Sequence, residues 1–193
     1  MLGLKSETDP SWVAIAEGNL QQLLTDHAFA EQKAAASAVS LIINFSEETE
    51  LVQAMSDLAI EEMEHFKMVH DIMVSRGMTL GIDQKSEYAR HLIRFFPKTK
   101  DRKQNLVNRL LIAAIIEARS CERFSVLSQH MKDKELAKFF GDLLVSEAGH
   151  YSLFLNFARK FHNREEVDKK WNEFLEYEAD YISKQGKLPL VHG

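Results

Sequence analysis

Glu31, Glu62-Met63-Glu64-His65, Glu117 and Glu147-Ala148-Gly149-His150 are the residues of this chain whose types and spacing can do chemistry. Glu31 precedes Glu62 by 31 residues and Glu117 precedes Glu147 by 30, so one pattern occurs twice: a lone Glu, then a Glu-x-x-His step. A helix turns about 100° and rises about 1.5 Å per residue, which puts positions three apart on one face, less than a turn up. Glu62 and His65 can therefore aim at one point, and so can Glu147 and His150. Four carboxylates and two imidazoles in this arrangement are the ligand set of a dinuclear metal site inside a four-helix bundle. Two divalent ions balance four carboxylates, and a neutral cluster is less costly to sink into a core.

The plainer reading is a pair of solvated helix contacts. With eight His in a Glu-rich chain, one Glu-x-x-His step is expected by chance, and such a pair on a helix is usually exposed. The duplication and its surroundings argue otherwise. The face around Glu31 carries Leu24, Ala28, Ala35, Ala38 and Ile42, and the face around Glu117 carries Leu110, Ala113, Ala114, Cys121 and Phe124. A Glu in the middle of an apolar face is rarely buried without a partner. An internally paired bundle that keeps its carboxylates for structure is the alternative.

The elements that must position these residues are legible in the punctuation. The three prolines, Pro10, Pro97 and Pro189, fall outside the strongly periodic segments. Asp9-Pro10 reads as an N-cap and first-turn residue. A first helix is expected from about Ser11 to Asn44, with a weak point at Gly18. Ser46-Glu47-Glu48-Thr49 is a turn with capping chemistry, and a second helix runs to about Arg76 and ends at Gly77. Residues 78 to 101 form a connection with a short amphipathic piece, Glu87 to Phe96. Helices from about Arg102 to Met131 and Lys134 to Phe161 follow, then a shorter charged helix, Arg164 to Ser183, and a tail from Gly186 to Gly193. Two close-coupled pairs joined by one long crossover make an all-α, ferritin-like four-helix bundle with an additional C-terminal helix. The lone Glu residues fall on its first and third helices and the Glu-x-x-His steps on its second and fourth.

At 193 residues the chain suits one well-filled domain, 1–193. Its longest apolar run, Leu110 to Ile116, is too short to span a bilayer. Residues 1–10 lack an apolar signal region. One cysteine, Cys121, excludes an internal disulfide and a cysteine-based zinc or iron–sulfur site. These features point to a reducing cytoplasm. His27, one turn before Glu31, reads first as a hydrogen-bonded core or boundary histidine; the functional readings are a seventh ligand or a donor to the ligand set. Glu61 is a candidate to orient a ligating imidazole. Tyr151 and Tyr177 read first as packing aromatics.

One segment reverses the acidic balance of the chain. Between Arg90 and Arg109 there are seven cations, Arg90, Arg94, Lys98, Lys100, Arg102, Lys103 and Arg109, against the single acid Asp101. A solvated loop and helix start is the plain explanation; a docking surface for a phosphate backbone is the functional one. The first six are candidate RNA-binding residues.

The segments Asp26-His27-Ala28-Phe29-Ala30-Glu31, Glu61-Glu62-Met63-Glu64-His65-Phe66, Glu117-Ala118-Arg119-Ser120-Cys121-Glu122-Arg123-Phe124 and Glu147-Ala148-Gly149-His150-Tyr151 resemble the MiaE-type tRNA hydroxylases. That family consists of ferritin-like di-iron monooxygenases acting on methylthio-isopentenyl-adenosine next to the anticodon. The resemblance covers about Trp12 to Phe161. It implies two Fe ions held by Glu31, Glu62, His65, Glu117, Glu147 and His150, O2 as co-substrate, and hydroxylation of the isopentenyl side chain of a tRNA nucleoside. The chain has no Gly-x-Gly-x-x-Gly fingerprint and no cysteine cluster, so the electrons must come from a separate reductase. Monomer and dimer are both compatible with the pattern. Open alternatives at this level are a ferroxidase, a rubrerythrin-like peroxidase, a manganese catalase and a non-catalytic RNA-binding bundle.

Overall fold

The computed structural model describes residues 2–83, 87–185 and 188–192. Among the described residues there are seven α-helices and no strand: α1 (Trp12–Gly18), α2 (Leu20–Asn44), α3 (Thr49–Ser75), α4 (Glu87–Phe95), α5 (Arg102–His130), α6 (Lys134–Phe161) and α7 (Arg164–Lys184). The chain divides into two compact units, one of Met1–Gly18 with Ser86–Gly193 and one of Asn19–Lys85. The beginning of the expected tail, at Gly186, and its end, at Gly193, lie outside the described residues.

The smaller unit is an α2–α3 hairpin. The buried stripe of α3 is Leu51, Met55, Leu58, Glu62, His65, Val69 and Met73, a succession of steps of three or four residues that keeps one face inward. Glu62 and His65 occupy two of these inward places. Gly77, at φ 70°, ends the helix. Its N–H reaches Val74 O at 3.0 Å and Met78 N–H reaches Met73 O at 2.8 Å, a left-handed cap that satisfies the last carbonyls. The chain then lies back along α2. Gln21 donates to Thr79 O at 3.0 Å and Gly81 N–H donates to Thr25 Oγ1 at 3.2 Å. A Cβ at Gly81 would meet the Thr25 side chain at 3.2 Å, so glycine permits this close approach.

The larger unit holds the α5–α6 hairpin, with α1, α4 and α7 packed on it. The buried stripe of α6 is Leu136, Phe140, Leu143, Glu147, His150, Phe154 and Ala158, the same succession of steps as in α3. α2 and α5 match likewise: Leu24, Ala28, Glu31, Ala35 and Ala38 in one, Leu110, Ala114, Glu117, Cys121 and Phe124 in the other, all buried. Asp101 opens α5 by accepting from Lys103 N–H and Gln104 N–H at 2.9 and 3.1 Å. Asp133 caps α6 and Asn163 caps α7 in the same way.

Two expectations are corrected. The helix expected from Ser11 to Asn44 is two helices, because Asn19 leaves the helical region (φ −133°, ψ 41°). α1 then belongs to the larger unit and α2 to the smaller. The turn before α3 has no side-chain cap: Glu48 is the N-cap residue, and its side chain accepts no capping hydrogen bond.

α5 is buried on more than one face. From Glu117 to Ser125 every residue is buried, and Arg119 and Glu122 anchor a polar network within the larger unit. Arg119 Nε donates to Glu178 Oε1 at 2.9 Å and Nη2 to Oε2 at 3.0 Å. Arg119 Nη1 donates to Glu122 Oε2 and to Ser6 O, both at 3.0 Å. Glu122 also accepts from the Thr8 backbone N–H and hydroxyl, each at 2.6 Å. The Tyr88 hydroxyl donates to Glu178 Oε1 at 3.0 Å. Arg123 lies over the Trp12 ring, 4.2 Å from its centroid. Burial works against the Arg119 charge, but Glu178 first, then Tyr88 and Glu122, hold the guanidinium above its usual range. Burial holds the Tyr88 phenol well above its usual range, so it stays a donor. The network binds α4, α5, α7 and the N-terminal segment to each other.

Candidate metal centre

Each compact unit contains one Glu/Glu/His set. In the smaller unit, Glu31 on α2 and Glu62 and His65 on α3 are 5%, 0% and 5% exposed. Each offers a ligand atom, and those atoms lie within 4.8 Å of one another. His65 Nδ1 is 3.5 Å from Glu62 Oε2 and 3.9 Å from Glu31 Oε2. In the larger unit, Glu117 on α5 and Glu147 and His150 on α6 are buried and likewise offer atoms within 4.8 Å of one another. His150 Nδ1 is 3.5 Å from Glu147 Oε2. The two imidazoles thus present the same nitrogen to the carboxylate three residues before it, as the helical repeat requires.

Behind each ring, a residue one turn earlier faces Nε2. For His65 it is Glu61, with Oε1 at 3.9 Å; for His150 it is Ser146, with Oγ at 3.5 Å. Glu61 is therefore placed beside the imidazole but beyond hydrogen-bond distance. Ser146 is assigned no role in the sequence reading, although, like Glu61, it directly precedes the Glu of a Glu-x-x-His step. Cys121, one turn after Glu117, directs Sγ towards Leu144 O at 3.9 Å. Burial, and then the nearby Glu147, push its thiol up to about 12. It is a protonated, packed side chain. Tyr151 packs against Trp171, and the Tyr177 hydroxyl donates to His91 O at 3.3 Å, which accounts for both as structural aromatics.

The donor set fits a metal. Buried carboxylate oxygens and imidazole nitrogens converge in each unit, and these are the donors that suit iron or manganese. A ligand that binds only the folded state raises stability by RT ln(1 + [L]/Kd), about 2.7 kcal/mol at a hundredfold excess over Kd. Ferrous-loaded protein is therefore expected to melt several degrees above the apo-protein, with loading saturating near two metals per chain. Calorimetry with metal titration measures both, and equal melting temperatures or saturation at one metal would refute a dinuclear site.

The candidate RNA residues all lie at the surface of the larger unit. Arg90 and Arg94 are exposed on α4, Lys98 and Lys100 in the following loop, and Arg102 and Lys103 in the first turn of α5. Arg90 pairs with Glu87. Asp101, the one acid of the segment, turns its carboxylate to the α5 backbone as the cap. Arg109 is set apart: it is half-buried, and burial lowers its pKa.

Comparison with known proteins decides the family. The family model described as tRNA-(MS[2]IO[6]A)-hydroxylase (MiaE) matches residues 2–193. The chain belongs to the MiaE family. A tRNA 2-(methylsulfanyl)-N(6)-isopentenyladenosine(37) hydroxylase of Pseudomonas putida is 38% identical over 163 residues, covering 83% of this chain and 77% of the relative. A hydroxylase of the same name from Salmonella typhimurium is 34% identical over 133 residues, covering 69% of this chain and 48% of the relative. The match thus spans about half the length of the Salmonella protein. A solved structure, protein 43 with aldehyde deformylating oxygenase activity from Synechococcus, superposes with a TM-score of 0.91 at 32% identity, over 98% of this chain and 95% of that one. The MiaE-family chain accordingly has an all-α, ferritin-like fold, with a buried carboxylate and histidine cluster able to hold a metal. Among the described residues no helix is long and apolar enough to cross a membrane.

Proposed function

We propose that this chain is an oxygen-dependent di-iron monooxygenase that hydroxylates the isopentenyl side chain of methylthio-isopentenyl-adenosine in tRNA. The observation that carries this reading is a buried Glu/Glu/His set in each compact unit of a MiaE-family chain. Glu31, Glu62 and His65 from one unit and Glu117, Glu147 and His150 from the other would hold two Fe ions. When bound, the iron pair supplies the activation of O2 for insertion of one oxygen atom into a C–H bond.

The chain's own residues have definable tasks. The four carboxylates balance the charge of two divalent ions, which keeps the buried cluster neutral. His65 and His150 serve as neutral imidazoles through Nδ1, the nitrogen that faces the carboxylates. Burial of all six side chains keeps bulk water from the reacting centre. The two electrons come from a separate reductase, since the sequence holds one cysteine and no dinucleotide fingerprint. In this reading the protein works in the cytoplasm, alongside its tRNA substrate.

The exposed cations from Arg90 to Lys103 supply the RNA-docking surface in this reading. Phosphate contacts weaken steeply with salt, whereas ligation of buried iron does not depend on them. Changing Lys98, Lys100, Arg102 and Lys103 together to Ala is expected to weaken tRNA binding and flatten its salt dependence, with iron content unchanged. Binding measured at several salt concentrations tests this, and coincident curves for wild type and variant would move the docking surface elsewhere, to Arg159, Lys160 and Arg164.

The test of the whole reading is turnover. Iron-loaded protein is supplied with O2, an electron donor and tRNA carrying the unhydroxylated nucleoside, and the nucleosides are analysed by mass spectrometry. Gain of one oxygen on the isopentenyl group is the expected result. The activity named for the Synechococcus structure makes an aldehyde the control substrate. Consumption of the aldehyde with unchanged tRNA would overturn the proposal.

A further inference from the structure

His27 is a buried titratable side chain that the six-residue ligand set does not use. It lies one turn before Glu31 on α2 and is 0% exposed. Its Nε2 is 2.5 Å from Glu31 Oε1. The other oxygen of that carboxylate, Oε2, is the one that faces His65 Nδ1, at 3.9 Å. The two oxygens of Glu31 therefore have different surroundings, one against His27 and the other towards the Glu62 and His65 side. His27 is not among the residues whose ligand atoms converge with Glu31, Glu62 and His65. A nitrogen at 2.5 Å from a carboxylate oxygen leaves no room for an ion between the two.

The repeated architecture sharpens this observation. α2 and α5 carry matching buried stripes, with Glu31 and Glu117 at the same place in each. The residue one turn before Glu117 is Ala113, whose methyl group can donate nothing. The duplication is thus broken behind one of the two lone carboxylates.

We infer that His27 is a positioning residue: its Nε2, packed 2.5 Å from Glu31 Oε1, occupies that oxygen, so that Glu31 offers Oε2 alone to a metal, and the two metal positions become inequivalent. The inference rests on the dinuclear reading above. Its physical basis is general. A donor behind a ligand fixes the ligand's orientation and tunes its basicity, and loss of such a partner typically costs about 10–100-fold in metal affinity. A polar nitrogen against the carboxylate also offsets part of the cost of burying it when no metal is present.

The experiment is cobalt(II) titration of the full chain, followed by visible absorption, with apo-protein melting measured in parallel. Wild type is expected to bind two cobalt ions with separable affinities. His27→Ala is expected to weaken one site about 10–100-fold while the other keeps its affinity. His27→Gln, which retains an N–H donor, is expected to restore most of the loss. Cobalt-loaded wild type should show two imidazole N–H resonances with the large contact shifts of direct ligation, from His65 and His150. Unchanged affinities in His27→Ala, equal weakening of both sites, or failure of His27→Gln to restore binding would each overturn the inference. A third imidazole resonance with a contact shift of that size would overturn it too, by making His27 a ligand. Should His27→Ala not fold, the His27→Gln titration and the resonance count still decide. Wild type binding fewer than two cobalt ions would be a distinct result, one that removes the dinuclear reading itself.

Discussion

Glu117→Ala will lose tRNA hydroxylation while leaving the helices folded. The substitution keeps helix propensity, since Ala is the best helix former, and it removes a carboxylate that is 4% exposed on the inner face of α5. In the proposed di-iron form it would take away one oxygen donor and one negative charge, so the remaining ligands would no longer balance two divalent ions. Loss of a partner behind a ligand already costs about 10–100-fold, so loss of a ligand should cost at least about a hundredfold in turnover. The apo-protein should melt no lower than wild type, because a buried carboxylate without its metal is a burden on the fold. Glu64→Ala is the control: it removes an exposed carboxylate on α3, and such surface changes usually stay within about 0.5 kcal/mol. Hydroxylated nucleoside formed per iron, with circular dichroism for folding, measures the contrast. Turnover of Glu117→Ala near the wild-type rate would remove α5 from the ligand set.

Arg119→Leu will destabilise the protein whether or not metal is bound. Arg119 is completely buried and meets Glu178 with two hydrogen bonds and Glu122 with one. Removing the cation leaves two carboxylates in the interior without their main countercharge. Breaking a buried pair from one side costs about 3–5 kcal/mol, and for a chain of this size each kcal/mol lowers Tm by about 2–4 °C. A fall of roughly 6–20 °C is therefore expected in both apo and loaded forms. The paired change Arg119→Leu with Glu178→Leu should be milder than the sum of the single changes, because it removes both charges together. Thermal melts of the three variants test this, and a single variant within 2 °C of wild type would show, at about 2–4 °C per kcal/mol, that the network contributes little to stability.

The two predictions concern opposite faces of one stretch of α5. Glu117, Cys121 and Phe124 share the stripe that matches α2, while Arg119, Glu122 and Arg123 point into the network of the larger unit. That division explains the unusual run Glu-Ala-Arg-Ser-Cys-Glu-Arg-Phe. It was conspicuous in the sequence, but its basic and acidic residues had no assigned partner there. The partners of Arg119 lie at Ser6, at Glu122 and 59 residues away at Glu178. Only Glu122, three residues on, falls within the reach of a helical repeat.

Local rules determined much of this protein from its sequence alone. The six candidate ligands are legible because a helix places i and i+3 on one face, whatever surrounds it. The helix ends at Gly77 and the starts at Asp101, Asp133 and Asn163 follow from glycine's access to positive φ and from side chains that accept backbone N–H bonds. The tertiary structure decided what depends on distant neighbours. The break at Asn19 separates α1 from α2 because α1 packs with α5, through contacts such as Trp12 beneath Arg123. The role of Glu178 on a charged, apparently surface helix depends on burial against Arg119 and Tyr88. The contact of His27 with one oxygen of Glu31 was open in the sequence because spacing gives proximity on a helix, while the side-chain torsions that choose between two carboxylate oxygens are set by packing.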